Sequence, residues 1–285
     1  MKNITRDNLS DAVKLSFAQI DNARLCHLVE RLTHHLHAFA HETALTHSEW
    51  REGIAFLHRA ADISSPSRSE FTLMSDVLGL SSLVDLLAAR PGATEGSVLG
   101  PFHTRGSPWM ESGSSLIRDN PGEAVLIRGQ VTDVHGQPLA DARIDFWQNA
   151  DNGMYWQMDD SQPQDNLRCQ IQVQADGRFE LATIRPKPYL VPTDGPVGEL
   201  LRVSHREAWR PAHFHIIVEA PGHCTLITEV FDQGDPWLDK DAVFGVRASL
   251  VAEYKTETDS DTASRLGLPP AYLCMDLPIR LAKED

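Results

Sequence analysis

Two periodicities divide the chain. From about residue 8 to residue 90, apolar side chains recur every three or four positions. Leu25, Leu28, Val29, Leu32, Leu36 and Phe39 fall on one stripe of a helix. Trp50, Ile54, Leu57 and Ala61 make a second stripe, and Phe71, Met74, Val77 and Leu78 a third. Gly79 interrupts, and Leu83, Val84, Leu86 and Leu87 resume. Thr46 with Glu49 and Ser67 with Glu70 have the spacing of capping boxes, which place helix starts. After Arg90-Pro-Gly the period drops to two. Val125 to Asp133, Ala142 to Gln148, Cys169 to Gln174, Phe179 to Ile184, His213 to Glu219 and Thr225 to Phe231 alternate as strands do, with Gly, Pro and Asp turns between them. Tyr272 to Leu281 reads as a closing strand after a charged stretch, and residues 151–168 and 185–209 read as long loops. The pattern predicts a mainly β chain with N-terminal α structure: a helical linker or dimerisation segment at 1–92, and an antiparallel β-sandwich at 93–285. The helical segment is too small and too apolar to stand alone. Its stripes need a cover, either the remainder of the chain or another subunit.

Composition narrows the class. A chain of 285 residues can bury a sizeable core. A formal net charge of −14 argues against nucleic acid and anionic membranes as partners. Cys26, Cys169, Cys224 and Cys274 are scattered and form no CxxC pair, so neither a zinc knuckle nor a dense disulfide framework is expected. No apolar signal region opens the chain and no apolar run is long enough to span a bilayer, so a cytoplasmic location is the expectation.

Candidate chemistry centres on Arg210-Pro-Ala-His213-Phe-His215-Ile-Ile-Val. In a strand, residues two apart share a face, which puts the two histidines about 7 Å apart at Cα. Imidazole is the commonest protein metal ligand, so the pair either holds one ion or lies on a polar strand face. His34, His37 and His41 also share a helix face. They fit a solvated helix face better than a metal site, because no acidic or sulfur ligand joins them at that spacing. Two of the four tyrosines, Tyr155 and Tyr189, lie in the long loops.

The ordered set Leu99-Gly-Pro-Phe-His, Ile144-Asp-Phe-Trp-Gln-Asn-Ala-Asp-Asn-Gly-Met-Tyr155, Arg185-Pro-Lys-Pro-Tyr189-Leu-Val-Pro-Thr-Asp-Gly-Pro-Val-Gly, Trp209-Arg-Pro-Ala-His-Phe-His and Gly234-Asp-Pro-Trp-Leu resembles the intradiol ring-cleavage dioxygenases over roughly residues 60–255. Val243-Phe-Gly-Val-Arg-Ala-Ser-Leu strengthens the likeness to the branch that acts on hydroxyquinol, benzene-1,2,4-triol. The resemblance implies one Fe(III) per subunit, bound by Tyr155, Tyr189, His213 and His215. It implies an aromatic diol or triol and O2 as reactants, cleavage between the two hydroxyl-bearing carbons, and a 3-hydroxy-cis,cis-muconate (maleylacetate) product in aromatic catabolism. It gives Tyr155 and Arg210 catalytic roles: the first leaves the metal and takes a substrate proton, the second stabilises negative charge on the ring. It lines the substrate pocket with Leu73, Asp76, Val98, Leu99, Gly100, Pro101, Phe102, Val191, Pro192, Arg210 and Val243. It also implies a homodimer formed through the helical segment, with a phospholipid held at that interface.

The donor set suits the metal on chemical grounds. Ferric iron is a hard cation that oxygen ligands suit, and two phenolates offset two of its three charges. Glu229 departs from the family pattern, in which Gln or His tends to stand near the metal, and a carboxylate there alters local charge. Three other readings compete. One is a catechol or substituted-catechol 1,2-dioxygenase. Another is a non-catalytic β-sandwich binding module with the tyrosines as platforms. The third is a zinc hydrolase, which would ordinarily use a carboxylate or a third histidine rather than two tyrosines.

Overall fold

Alternation at period two becomes two packed sheets in the computed structural model, which describes residues 3–65 and 68–284. The first sheet takes the order β1-β5-β4-β9-β10-β11, with β1 Trp109–Met110, β4 Arg143–Trp147, β5 Arg168–Gln172, β9 His213–Glu219, β10 Leu226–Asp232 and β11 Val251–Ala252. The second is β12-β13-β3-β6-β2, with β2 Ser114–Ser115, β3 Ala124–Asp133, β6 Arg178–Ile184, β12 Lys255–Glu257 and β13 Tyr272–Leu281. A small pair, β7 Tyr189–Leu190 with β8 Trp209–Arg210, stands apart. Val125, Ile127 and Val131 of β3 share one buried cluster with Phe214, Ile216 and Val218 of β9, with Ile144 and Phe146 of β4, and with Met275, Leu277 and Ile279 of β13. On β9 the alternate residues His213 and His215 are left to the opposite face.

The expected sandwich is therefore present, with sheets of mixed rather than purely antiparallel pairing. β3 and β13 run parallel over Leu273↔Val125 to Leu281↔Asp133. Hairpin neighbours must be antiparallel, but a strand that returns after a long excursion can enter in either direction. Two helices stand where the pattern predicts loop or charged tail: α6 Pro196–Val203 and α7 Ser260–Leu266. In α6, Pro196 opens the first turn, where its missing N–H costs nothing. The next free donor, Val197 N–H, reaches the buried Glu70 carboxylate at 3.0 Å.

The helical stretch forms α1 Leu9–Ser16, α2 Ala23–Glu42, α3 His47–Ile63, α4 Glu70–Val77 and α5 Leu80–Ala88. The capping box at the start of α3 is formed: Thr46 N–H and Oγ1–H donate to Glu49, and Glu49 N–H donates back to Thr46 Oγ1 at 3.3 Å. Ser67 lies outside the described residues; the cap of α4 is Ser69, whose side chain accepts from Thr72 N–H. Two compact units result, Met1–Arg59 and Ala60–Asp285. In the first, Leu25, Leu28, Leu32, Leu36 and Phe39 of α2 and Trp50, Ile54 and Leu57 of α3 are exposed despite their apolar stripes. His37 Nδ1 meets Ser10 Oγ at 2.8 Å, and His41 Nδ1 accepts from Arg6 Nε at 3.2 Å, so these histidines join the N-terminal residues to α2. Among the described residues no single helix is long and apolar enough to cross a membrane.

On α5, Asp85 leaves one carboxylate oxygen buried without a partner. Burial pushes its pKa up from 3.8 to about 6, against the pull of the Arg247 charge. Between these values the native state binds the extra proton, so stability falls as pH rises from about 4 to about 6. Asp85→Asn is accordingly expected to raise Tm relative to wild type at about pH 7.5 and to give no gain at about pH 4. An equal gain at both values would rule the charge out as the cause.

Candidate metal centre

Strand register builds the site. His215 on β9 lies opposite Trp147 on β4 and Glu229 on β10, and directly opposed residues share a face. The β7–β8 pair sets Tyr189 opposite Arg210. Tyr155 precedes a 3₁₀ turn, Trp156–Met158, in the loop after β4. These side chains are buried together: Tyr155, Tyr189, Arg210, His213, His215 and Glu229 are each 5% exposed or less.

The two imidazoles meet edge to face, with Nε2 of His213 3.1 Å from Nε2 of His215. His213 Nδ1–H donates to Pro211 O at 2.6 Å, which leaves the Nε2 lone pair free. His215 is stacked flat on Trp147, ring centres 4.8 Å apart at 4°. Behind Trp147 stands His103, which is 3.3 Å from Asp145. Gly100 backs onto His215 at a φ of +71°, and a Cβ there would lie 2.9 Å from His215 Cε1. Only glycine allows both the conformation and the approach. The Tyr155 and Tyr189 rings meet edge-on at 5.5 Å, and Phe102 stacks on Tyr155 at 4.5 Å.

Neither phenol oxygen has a hydrogen-bond partner, nor has His215 Nδ1. Burial drives both tyrosine pKa values up, and the neighbouring Tyr189 adds to the shift at Tyr155. Burial, followed by Arg210, lowers His213 to about 4; burial and His213 hold His215 well below its ordinary range. The pocket therefore presents two neutral imidazoles and two unsatisfied phenols. Orphaned buried polar atoms are costly, and a cation satisfies the two phenol oxygens. His213 Nε2 and His215 Nε2, 3.1 Å apart, are close enough for one ion to meet both. The residues present thus fit a hard metal ion.

Arg210 sits between two carboxylates. Nη1 and Nη2 donate to Glu229 at 2.6 and 2.9 Å; Nε and Nη2 donate to Asp241 at 3.0 and 3.2 Å. Nη1 is also 3.3 Å from His213 Nε2, which aims the guanidinium at the metal pocket. Against the upward push of burial, the Arg210 charge holds Glu229 down to about 2. With both histidines, Glu229 forms the one group of metal-capable His, Cys, Asp or Glu side chains among the described residues.

A cavity of about 550 Å³ reaches this site through Phe102, whose ring stacks on Tyr155, and is lined by Leu73, Pro101, Phe102, Val191 and Pro192 from the expected pocket. It is also lined by Glu70, Thr193 and Asp194, and by Arg68, Gln157 and Met158, which carry no pattern or motif that marks them. Asp76, Val98, Gly100, Leu99, Val243 and Arg210 do not line it. Asp76 lies one turn after Leu73 on α4, is 3% exposed and has its pKa raised by burial. Val98 and Val243 are buried, and Leu99 is 38% exposed.

The family profile described as "Dioxygenase" matches residues 100–271, and the one described as "Catechol dioxygenase N terminus" matches residues 22–96. The chain belongs to the intradiol, catechol-type dioxygenases. It is 42% identical over 261 residues to the 6-chlorohydroxyquinol 1,2-dioxygenase of Cupriavidus pinatubonensis, covering 91% of this chain and 95% of the relative. It is 43% identical over 250 residues to the hydroxyquinol 1,2-dioxygenase of a Rhizobium species, covering 87% and 85%. The structure of hydroxyquinol 1,2-dioxygenase from Pseudomonas putida DLL-E4 superposes with a TM-score of 0.86 at 40% identity, covering 98% of this chain and 99% of that one. The metal of this family is non-haem iron.

Proposed function

We propose that the chain cleaves hydroxyquinol between its two adjacent hydroxyl-bearing carbons, consuming O2 at a ferric ion held by Tyr155, Tyr189, His213 and His215, and yielding 3-hydroxy-cis,cis-muconate. The observation that carries this reading is the convergence of two unpartnered buried phenols on a pair of neutral imidazoles 3.1 Å apart. A ferric ion held by these four side chains would supply Lewis acidity, enough to ionise the phenols and polarise a substrate diol. Ionised by the bound metal, Tyr155 would take the proton of one substrate hydroxyl on Oη and so return to a neutral phenol. Pro211 O keeps the His213 proton on Nδ1, so Nε2 stays a ligand. Arg210, fixed by Glu229 and Asp241, presents Nη1–H toward negative charge that develops on the ring. Leu73, Pro101, Phe102, Val191 and Pro192 give the ring an apolar wall.

The visible spectrum of the iron-loaded protein tests the reading. A broad phenolate-to-iron band that moves to longer wavelength with anaerobic hydroxyquinol is expected. A protein that holds iron and stays colourless would overturn it.

The preference for the triol over catechol is proposed from Asp76, which lies one turn after the cavity residue Leu73 but does not itself line the cavity; a carboxyl there is assigned to accept from the third ring hydroxyl. Sites built to bond a hydroxyl reject analogues that lack it. Asp76→Ala is expected to reduce the ratio of kcat/KM for hydroxyquinol over catechol by at least about 10-fold. An unchanged ratio removes the role.

A second copy of the chain is the proposed cover for the exposed stripes of α2 and α3, with a phospholipid between the helices. A particle of one chain's mass at micromolar concentration would count against the dimer, and lipid extraction tests the ligand. Four free cysteines support a reducing, cytoplasmic setting.

A further inference from the structure

Glu229 is the carboxylate that stands against both histidines. Its Oε1 lies 3.4 Å from His213 Nε2 and 3.4 Å from His215 Nδ1, on the same face of the sheet, with 0% exposure. It is held there rigidly. Both oxygens are engaged by Arg210, and Oε2 also accepts from Ser97 Oγ at 2.8 Å. Gly245 closes the cradle: a Cβ at that position would lie 2.7 Å from Glu229 Oε2, 2.8 Å from Arg210 Nη2 and 3.0 Å from Asp241 Oδ2. One guanidinium thus stands between two carboxylates, and the cluster carries a net negative charge beside the metal position.

Resting on the ferric-tyrosinate reading above, we propose that Glu229 is a positioning residue that sets the reduction potential of the metal centre. Its fixed negative charge against His213 and His215 favours the more highly charged, oxidised ion. Low dielectric makes such a charge felt strongly. Asp241 shares the Arg210 contact but touches neither histidine, so its charge acts from farther away. The carboxylate thereby opposes adventitious reduction, which would take the centre out of the ferric state.

The test uses the iron-loaded full chain without substrate. In Glu229→Gln the midpoint potential rises and the phenolate-to-iron band moves to longer wavelength, because removing the negative charge makes the ion easier to reduce. Glu229→Asp, with its carboxylate drawn back by one methylene, moves both in the same direction by less. Asp241→Asn also moves them less than Glu229→Gln. Should Glu229→Gln not fold, Glu229→Asp carries the test, and an unmoved band and potential in it overturn the proposal. An unmoved Glu229→Gln overturns it, as does a Glu229→Asp or Asp241→Asn shift as large as that of Glu229→Gln. A wild-type protein that holds iron but shows no band defeats the underlying reading and this one with it, whereas a normal wild-type band with unshifted variants defeats this one alone.

Discussion

Arg210→Ala is expected to cost the protein much of its stability, not merely its turnover. The substitution leaves Glu229 and Asp241, both buried, without their shared counter-ion. Breaking a buried ion pair from one side costs about 3–5 kcal/mol, which for a chain of this size lowers Tm by on the order of 10 °C. The catalytic role is better read from Arg210→Lys. An ammonium keeps the charge but cannot bridge two carboxylates while also presenting a donor to the pocket. Metal content and the resting visible band are expected to persist in that variant, while kcat/KM falls by about 10²-fold, the loss typical of a misplaced charge-stabilising donor. Wild-type kcat/KM in Arg210→Lys would remove the catalytic role. A wild-type Tm in Arg210→Ala would show that the two carboxylates do not depend on it.

The second large effect separates ligands from packing residues. Tyr189→Phe and Tyr155→Phe remove hydroxyls that bond to no protein group. In the metal-free protein each change is therefore expected to leave Tm equal or higher, since deleting an unsatisfied buried group relieves a penalty. Iron affinity is expected to fall by about 100-fold or more, because even contacts that only orient metal ligands are worth 10–100-fold. The ferric band weakens in step. Equilibrium dialysis against iron, with Tm of the metal-free proteins in parallel, distinguishes the outcomes. Unchanged affinity in both variants would make the tyrosines packing residues.

The parts of the site that follow a local rule were legible, and the parts created by distant contacts were not. His213 and His215 announce themselves because a period-two strand puts them on one face while Phe214, Ile216 and Val218 take the other. The same rule located most strands. Tyr155 lies in a loop and Tyr189 in the two-residue strand β7, too short to show a periodicity, and only their place in a family-like order singled them out. Asp241 and Ser97 gave no signal, since their value comes from meeting Arg210 and Glu229 across the fold. Likewise α6 begins on a carboxylate from α4, far away in sequence, so no capping residue marks its start. Arg68 and Gln157 reach the cavity from segments that look like ordinary loop.

The parallel pairing of β3 with β13 has a consequence for synthesis. In the five-stranded sheet β13 lies between β12 and β3, and its residues Met275, Leu277 and Ile279 complete the core that β3 begins. During translation β3 must wait, one flank unpaired, until the last strand clears the ribosome. A chain stopped just before Tyr272 therefore presents nascent-chain chaperones with an open apolar sheet edge, even though every residue proposed to hold the iron has already been made.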